Sequence, residues 1–471
     1  MALPEEAEKQ LKSIVPLSWE QVRSQWHQQA TPEERQFRDN LPNGYGKASP
    51  LHNLRLYSSE NKESDVAVTF YRDSASWCPY CQKVWMALEY KRIPYRVERV
   101  NMRCYGDKTA DFMRIQPSGQ IPVANINGKI YGQSNDILFS LDEAFPEAPG
   151  GSIAKFSTSM DKLRAQELLQ LERQLFSTWM NWLTGSSRSK GQYVRVLEIV
   201  EQKLGETSSG GFFMGDKFSI VDIQFAPFLE RMAASLLYFK GFIIRVPTKD
   251  YANIPYPNVN KWFDAMEKLE AYQVTKSDYY THCWDLPPQL GGCTFEDEGQ
   301  VFERAINGER SIDQTQGSWE LPLQPHNGGI EPDWDFLSMD EASAKREAVE
   351  RLTYNYQNIV KFAARGAGQK GMPPVSAPLS DPRATPSDVV LSSVDTVLKC
   401  VALAMLDNPD AEIQMRNVAA TISSQGDEFS GAVVASIAYL RDRVGVPRDM
   451  RLPAARQFRA YLNWSLGYIL T

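Results

Sequence analysis

The spacing of apolar and polar positions changes along the chain, and it predicts two kinds of architecture. Val66-Ala67-Val68-Thr69-Phe70-Tyr71 is a short run rich in β-branched and aromatic residues, and it predicts a strand. From Gln82 to Lys91 the apolar residues Val84, Met86, Ala87, Leu88 and Tyr90 predict a helix. Tyr95 to Val100 predicts a second strand, and a short helix is expected near Lys108 to Ile115. Asn127-Gly128 reads as a hairpin turn between two more strands. Gly132-Gln133-Ser134-Asn135-Asp136 then opens a helix that ends near Phe145-Pro146. Residues 65–148 therefore form an α/β unit in the order β-α-β-α-β-β-α.

From residue 149 to 285 the period is helical throughout. Leu163, Leu168, Leu171, Leu175, Trp179 and Trp182 mark one long amphipathic helix. Ser219 and Asp222 form a capping box for a buried helix, a structural device with no chemistry of its own. Pro257-Asn258-Val259 opens a later helix. Residues 286–340 read as an irregular linker. Five helical patterns follow in residues 341–471: Met339 to Ala364, Ser387 to Asp407, Glu412 to Ser424, Phe429 to Val444 and Pro453 to Leu470. Their lengths suggest a small antiparallel bundle, interrupted by a Pro/Gly/Ser-rich loop from Gly366 to Pro386. Residues 1–64 form an N-terminal extension. Ser18 to Gln21 is a capping box that opens a short helix through His27, and Trp19 and Trp26 are expected to dock on a neighbouring domain.

Composition narrows the picture. At 471 residues, two or three domains are expected. A net charge of −7 without a long basic run argues against a nucleic-acid partner. No apolar run reaches membrane-spanning length. Six cysteines in a chain this long do not make a disulfide scaffold, so a reducing compartment is expected. The acidic start, Met1-Ala2-Leu3-Pro4-Glu5-Glu6, does not read as a signal or transit peptide. The expected location is the cytoplasm, or the chloroplast stroma if the chain is a trimmed precursor.

The candidate chemistry is concentrated in Cys78-Pro79-Tyr80-Cys81, at a strand-to-helix turn. Such a turn sets the first cysteine at a helix N-terminus, where free backbone N–H groups and the macrodipole stabilise a thiolate. Pro79 fits the first helical turn, where its missing N–H costs nothing. Cys78 is therefore the expected nucleophile, and Cys81, one turn further in, the resolving or silent partner. A zinc site would need a second ligand pair. His282-Cys283 and Cys293 do not supply one, so no metal is expected.

The layout with Cys-x-x-Cys after the first strand is that of a thioredoxin fold. Together with Gly119-Gln120-Ile121-Pro122-Val123, Gln133-Ser134 and Gly215 to Asp222, it resembles the glutathione transferase superfamily, in its cysteine-type classes. The tail, with Val446-Pro447-Arg448-Asp449-Met450, resembles the extension of the iota class of photosynthetic organisms. The resemblance implies a thioredoxin-like N-terminal domain, an all-helical C-terminal domain and an extra helical bundle. It also implies a cis Pro122, with the backbone of Ile121 pairing with the cysteinyl part of glutathione. Gln133 and Ser134 would hold the γ-glutamyl end, Lys108 the glycyl carboxylate, and Tyr80 would line the pocket. Trp179 and Trp182 are candidates for an apolar substrate cleft, with core packing as the alternative. The implied activity is glutathione-dependent thiol transfer onto glutathionylated or apolar substrates, with glutathione as co-substrate. The alternative is a largely non-catalytic glutathione- or apolar-ligand-binding protein whose extension shapes the pocket. Cys81 leaves a dithiol route open, and the oligomeric state is not fixed by these features.

Overall fold

The computed structural model describes residues 4–207, 211–248, 250–324, 330–331 and 340–471. Met339 and, in the expected linker, residues 325–329 and 332–338 lie outside them. Five strands form one sheet: β1 (Leu54–Arg55), β2 (Val68–Asp73), β3 (Tyr95–Val100), β4 (Val123–Ile126) and β5 (Lys129–Tyr131), in the order β1-β3-β2-β4-β5. β2 and β3 run parallel, joined over the helix Pro79–Lys91; β4 and β5 are antiparallel additions. Asn127 and Gly128, with φ of 52° and 85°, make the tight hairpin turn between β4 and β5. The expected α/β order is thus present, with β1 an added edge strand that its two residues could not announce.

Helices Ser159–Leu183, Lys190–Gly205, Ile220–Lys240, Pro257–Met266 and Tyr279–Leu290 pack behind the sheet. Every residue of Ile220–Lys240 is buried, so this helix is the axis of the helical domain. Its start is fixed by Asp222, which accepts from the Ser219 amide at 2.9 Å, the Phe213 amide at 3.0 Å and the Trp262 indole at 2.9 Å. The capping box therefore does the structural work its sequence implies. Among the described residues no helix is long and apolar enough to cross a membrane.

A second core is built from both ends of the chain. Helices Glu341–Ala363, Leu391–Met405, Ala411–Ser423, Asp427–Asp442 and Leu452–Leu470 form the tail bundle. Helices Glu5–Ile14 and Trp19–Gln29 complete it, burying Leu11, Trp19, Val22 and Trp26 among tail residues. The Trp19 ring stacks on Tyr356 at 5.0 Å, and its indole N–H donates to Asp395 at 2.7 Å. The Trp26 indole donates to the Arg346 carbonyl at 2.9 Å. The first part of the N-terminal extension is thus packed into the tail core, while Leu54–Arg55 joins the sheet, and the extension carries two helices the periodicity did not separate, Glu5–Ile14 and Pro32–Asn40. Residues expected as linker also include a helix, Gln300–Ile306.

The two units are joined by a buried ion pair. Arg459 of the tail donates to Asp278 at 2.7 Å, with the two side chains 1% and 0% exposed. Asp278 is also the N-cap of helix Tyr279–Leu290, accepting from the Thr281 amide at 2.9 Å.

Candidate functional site

Cys78 is the N-cap of helix Pro79–Lys91, with Pro79 in the first turn. The loop before it is held by a buried carboxylate. Asp73, at the end of β2, accepts from the Trp77 amide at 2.5 Å and from the Cys78 amide at 3.0 Å through one oxygen, Oδ2. Buried Arg72 reinforces the turn, donating to the Asp73 carbonyl at 3.0 Å and the Ser76 hydroxyl at 2.7 Å. Asp73 and Arg72 sit inside the strand-like run and its turn, where nothing in the spacing marks them.

Cys81 lies one helical turn inward, 1% exposed against 7% for Cys78. Burial pushes the Cys81 thiol well above its ordinary pKa, and its hydrogen bond to Cys78 pushes the same way. Basic groups surround the outer cysteine. Lys83, Lys108 and Arg231 all interact electrostatically with Cys78. Burial lowers Lys83 to about 7, against the pull of the Glu172 carboxylate. Burial also holds Lys108 below its ordinary pKa, opposed by the Cys81 and Cys78 sulfurs. The Arg231 guanidinium is buried; it donates to the Trp77 carbonyl, and to Gln82 at 2.9 Å.

The remaining sequence candidates fall around this centre. Ile121-Pro122 is a cis peptide. β2 pairs antiparallel with β4 with Tyr71 opposite Val123, and continuing that register sets Ile121 against Asp73. Gln133 is the exposed N-cap of helix Ser134–Ala144, and Ser134 is its first residue. Lys83 reaches that helix end through Gln224: its ammonium donates to Gln224 Oε1 at 2.6 Å, and Gln224 Nε2 donates to Asn135 at 2.7 Å. Lys108 packs beneath Gly119, where an added Cβ would meet the Lys108 chain at 3.4 Å, and its ammonium donates to the Asn101 carbonyl. Tyr80, 37% exposed, stands at the surface beside Phe228, with ring centroids 5.8 Å apart.

Trp179 and Trp182 do not line a cleft. They are 1% and 0% exposed, their indoles donating to Ser235 at 3.1 Å and Glu296 at 2.9 Å. Their shared face turns into the core. The residues of the same helix that reach the Tyr80 side are Arg173 and Phe176: Arg173 interacts electrostatically with Tyr80 and lies 5.4 Å from the Phe228 ring, and Phe176 packs on Phe228 at 4.8 Å. The stripe of large aromatics marks the buried face of the helix; the face toward Tyr80 is more polar.

A further chain leads inward from the cysteine loop. The Trp77 indole donates to His282 Nδ1 at 3.0 Å, and His282 Nε2 lies 2.7 Å from Glu230. An indole can only donate, so Nδ1 is the acceptor and Nε2 carries the proton. Burial keeps the His282 pKa low, as does the charge of Arg231. Glu230 also accepts from Gln82 at 2.9 Å and from the Ser277 amide at 2.7 Å. His282 lies 205 residues from Trp77, and no sequence signal joins them.

One turn along from His282, Asp285 accepts from the Tyr105 hydroxyl at 2.5 Å, while its other oxygen is buried with no hydrogen-bond partner among the described residues. Burial raises Asp285 from 3.8 to about 7. The native state therefore binds more protons than the unfolded chain between those values, and this group's contribution to stability falls as pH rises through them. Asp285→Asn is expected to gain in Tm relative to the parent protein between about pH 5 and about pH 8. A Tm difference that does not change with pH would show that this carboxyl is ionised throughout.

A thioredoxin-like domain with a cysteine at a helix N-terminus, backed by an all-helical domain, defines a class, and comparison with known proteins agrees. Residues 77–144 match the glutathione S-transferase N-terminal domain and residues 170–265 match its C-terminal domain. The chain is thus similar to glutathione S-transferases over these two stretches. Glutathione S-transferase DHAR2 of Arabidopsis thaliana is 29% identical over 200 residues, 42% of this chain and 84% of that protein. Glutathione S-transferase L2, chloroplastic, of the same plant is 27% identical over 209 residues, 43% of this chain and 64% of that protein. Among solved structures, glutathione transferase Omega 3C of Trametes versicolor aligns at 24% identity with a TM-score of 0.38, covering 45% of this chain and 90% of its own.

Proposed function

We propose that the protein is a glutathione-dependent thiol transferase in which Cys78 forms a mixed disulfide with glutathione. The observation that carries this reading is the setting of Cys78: a helix N-terminus, three basic groups around its sulfur, and Cys81 buried behind it. The Cys78 thiolate attacks the glutathionyl sulfur of a mixed disulfide substrate. The substrate's S–S bond breaks, its thiolate leaves and takes a proton, and Cys78 is left glutathionylated. A second glutathione thiolate then attacks that bond, releasing oxidised glutathione and regenerating Cys78. Ile121, Gln133, Ser134 and Lys108 hold the glutathionyl group, with Tyr80 at the rim. A cysteine suits this covalent route better than it suits activating glutathione for conjugation.

The monothiol route is favoured, because the elevated Cys81 pKa leaves little thiolate to attack the mixed disulfide. Cys81→Ser is expected to keep turnover within about threefold of the parent protein. A collapse of turnover in that variant would instead indicate a dithiol cycle. The reading as a whole is tested by turnover of a glutathionylated small disulfide, with glutathione binding measured in parallel. Glutathione binding without turnover would overturn it in favour of a binding protein.

A further inference from the structure

One sizeable cavity is lined by none of the residues around the cysteine. It holds about 940 Å³ and lies among the N-terminal extension, the Leu51–Asn53 segment and the tail. Its size matches sites that enclose a cofactor-sized molecule.

The chemistry of the walls is one-sided. Five arginines and a lysine line the cavity (Arg38, Arg351, Arg365, Arg443, Arg448 and Lys361), against a single carboxylate, Asp449. The whole chain carries a net charge of −7, so this basic cluster runs against the bulk composition. Carboxylates answer only half of it. Glu350 pairs with Arg38 at 2.8 Å and also with Arg351, and Asp449 pairs with Arg448 at 2.7 Å. Among the described residues, Arg365, Arg443 and Lys361 have no ion pair. Arg365 and Arg443 donate only to carbonyls, those of Asp381 at 3.3 Å and Pro378 at 3.1 Å among them. Arg443 also leaves its Nε buried with no hydrogen-bond partner among the described residues.

The other walls are apolar or amide. Phe362, Ile359 and Leu440 face the same space, and so do Asn355 and Asn358. Helix Glu341–Ala363 breaks its regular backbone at Asn355, where φ is −135° and ψ is 21°, in the wall of the cavity. Guanidinium groups with donors to spare recognise carboxylate or phosphate in a forked geometry. The apolar wall asks for a hydrocarbon or ring body.

We infer that this cavity is a binding site for an anionic amphipathic small molecule, with its carboxylate or phosphate held by Arg365, Arg443 and Lys361 and its apolar body against Phe362, Ile359 and Leu440. It is separate from the glutathione site and does not depend on the activity proposed for that site.

The test is a fluorescence titration of the full chain with 11-(dansylamino)undecanoic acid, with S-hexylglutathione in excess to block the cysteine site. The expected result is saturable binding of the acid and at least about tenfold weaker binding of its uncharged methyl ester. Arg443→Met and Lys361→Met are expected to weaken binding of the acid severalfold while leaving glutathione-dependent turnover unchanged. Lys361 is exposed, so that variant tests the site even if Arg443→Met does not fold. The proposal is overturned if the acid does not bind, if acid and ester bind alike, or if Lys361→Met binds the acid as tightly as the parent. Decyl phosphate, used as a competitor beside decanoate, distinguishes a preference for phosphate from one for carboxylate.

Discussion

Cys78→Ser is expected to lower turnover of a glutathionylated disulfide by at least about a hundredfold, while glutathione affinity stays within about threefold. The separation of the two effects follows from the site. The sulfur is the atom that makes and breaks bonds, and a serine hydroxyl at a helix N-terminus is neither ionised nor a thiol-exchange nucleophile near neutral pH. The groups proposed to hold glutathione are contributed elsewhere, by the Ile121-Pro122 turn and the start of helix Ser134–Ala144. The substitution changes one atom and leaves the Cys78 amide free to donate to Asp73. A variant that keeps most of the parent's turnover would remove Cys78 from the chemistry. One that loses affinity and turnover together would mean that the loop itself had shifted, and the integrity of the Asp73 bonds would then be the question.

Arg459→Met is expected to cost about 3–5 kcal/mol in unfolding free energy, because it strands Asp278 as a buried, unpaired charge. The measurement is denaturant unfolding of the full chain, followed by tryptophan fluorescence. Arg459 also donates to the Val444 carbonyl at 2.6 Å and stacks on the rings of Tyr280 and Trp319, so its loss is felt on both sides of the junction. Adding Asp278→Asn should recover a large part of the loss, since the amide removes the stranded charge and can still cap helix Tyr279–Leu290. A single-variant loss under about 1 kcal/mol would mean that water or another cation reaches Asp278. The same helix carries His282, so a variant that loosens it is also expected to disturb the Trp77 hydrogen bond beside the cysteine.

The sequence made some parts of this molecule legible and hid others, for physical reasons. Local signals were reliable: the strand-turn-helix around Cys78, the Asn127-Gly128 hairpin and the box at Ser219 and Asp222 each rest on contacts within a few residues. The tail helices were legible for the same reason, as each has a continuous apolar stripe. Long-range partners left no local trace. His282 meets Trp77, Arg231 meets Gln82, and Arg459 meets Asp278 only because the chain returns to the same place. Polar residues in a helical pattern read as solvated surface until folding buries them. The tryptophans of helix Ser159–Leu183 illustrate the converse: the resemblance made Trp179 and Trp182 cleft candidates, but large aromatics at that spacing report burial, and Arg173 on the neighbouring face is what interacts electrostatically with Tyr80.

The shared core of the two chain ends sets an order on biosynthesis. Trp26 emerges from the ribosome early, but its partner Arg346 lies 320 residues downstream. At roughly 5–20 residues per second that interval is about 16–64 s. Over that time the sheet and the helical domain behind it can be completed, while the first two helices have no core to enter. Their indoles stay uncovered through that interval, and the bundle closes over them only after helix Leu452–Leu470 has been made.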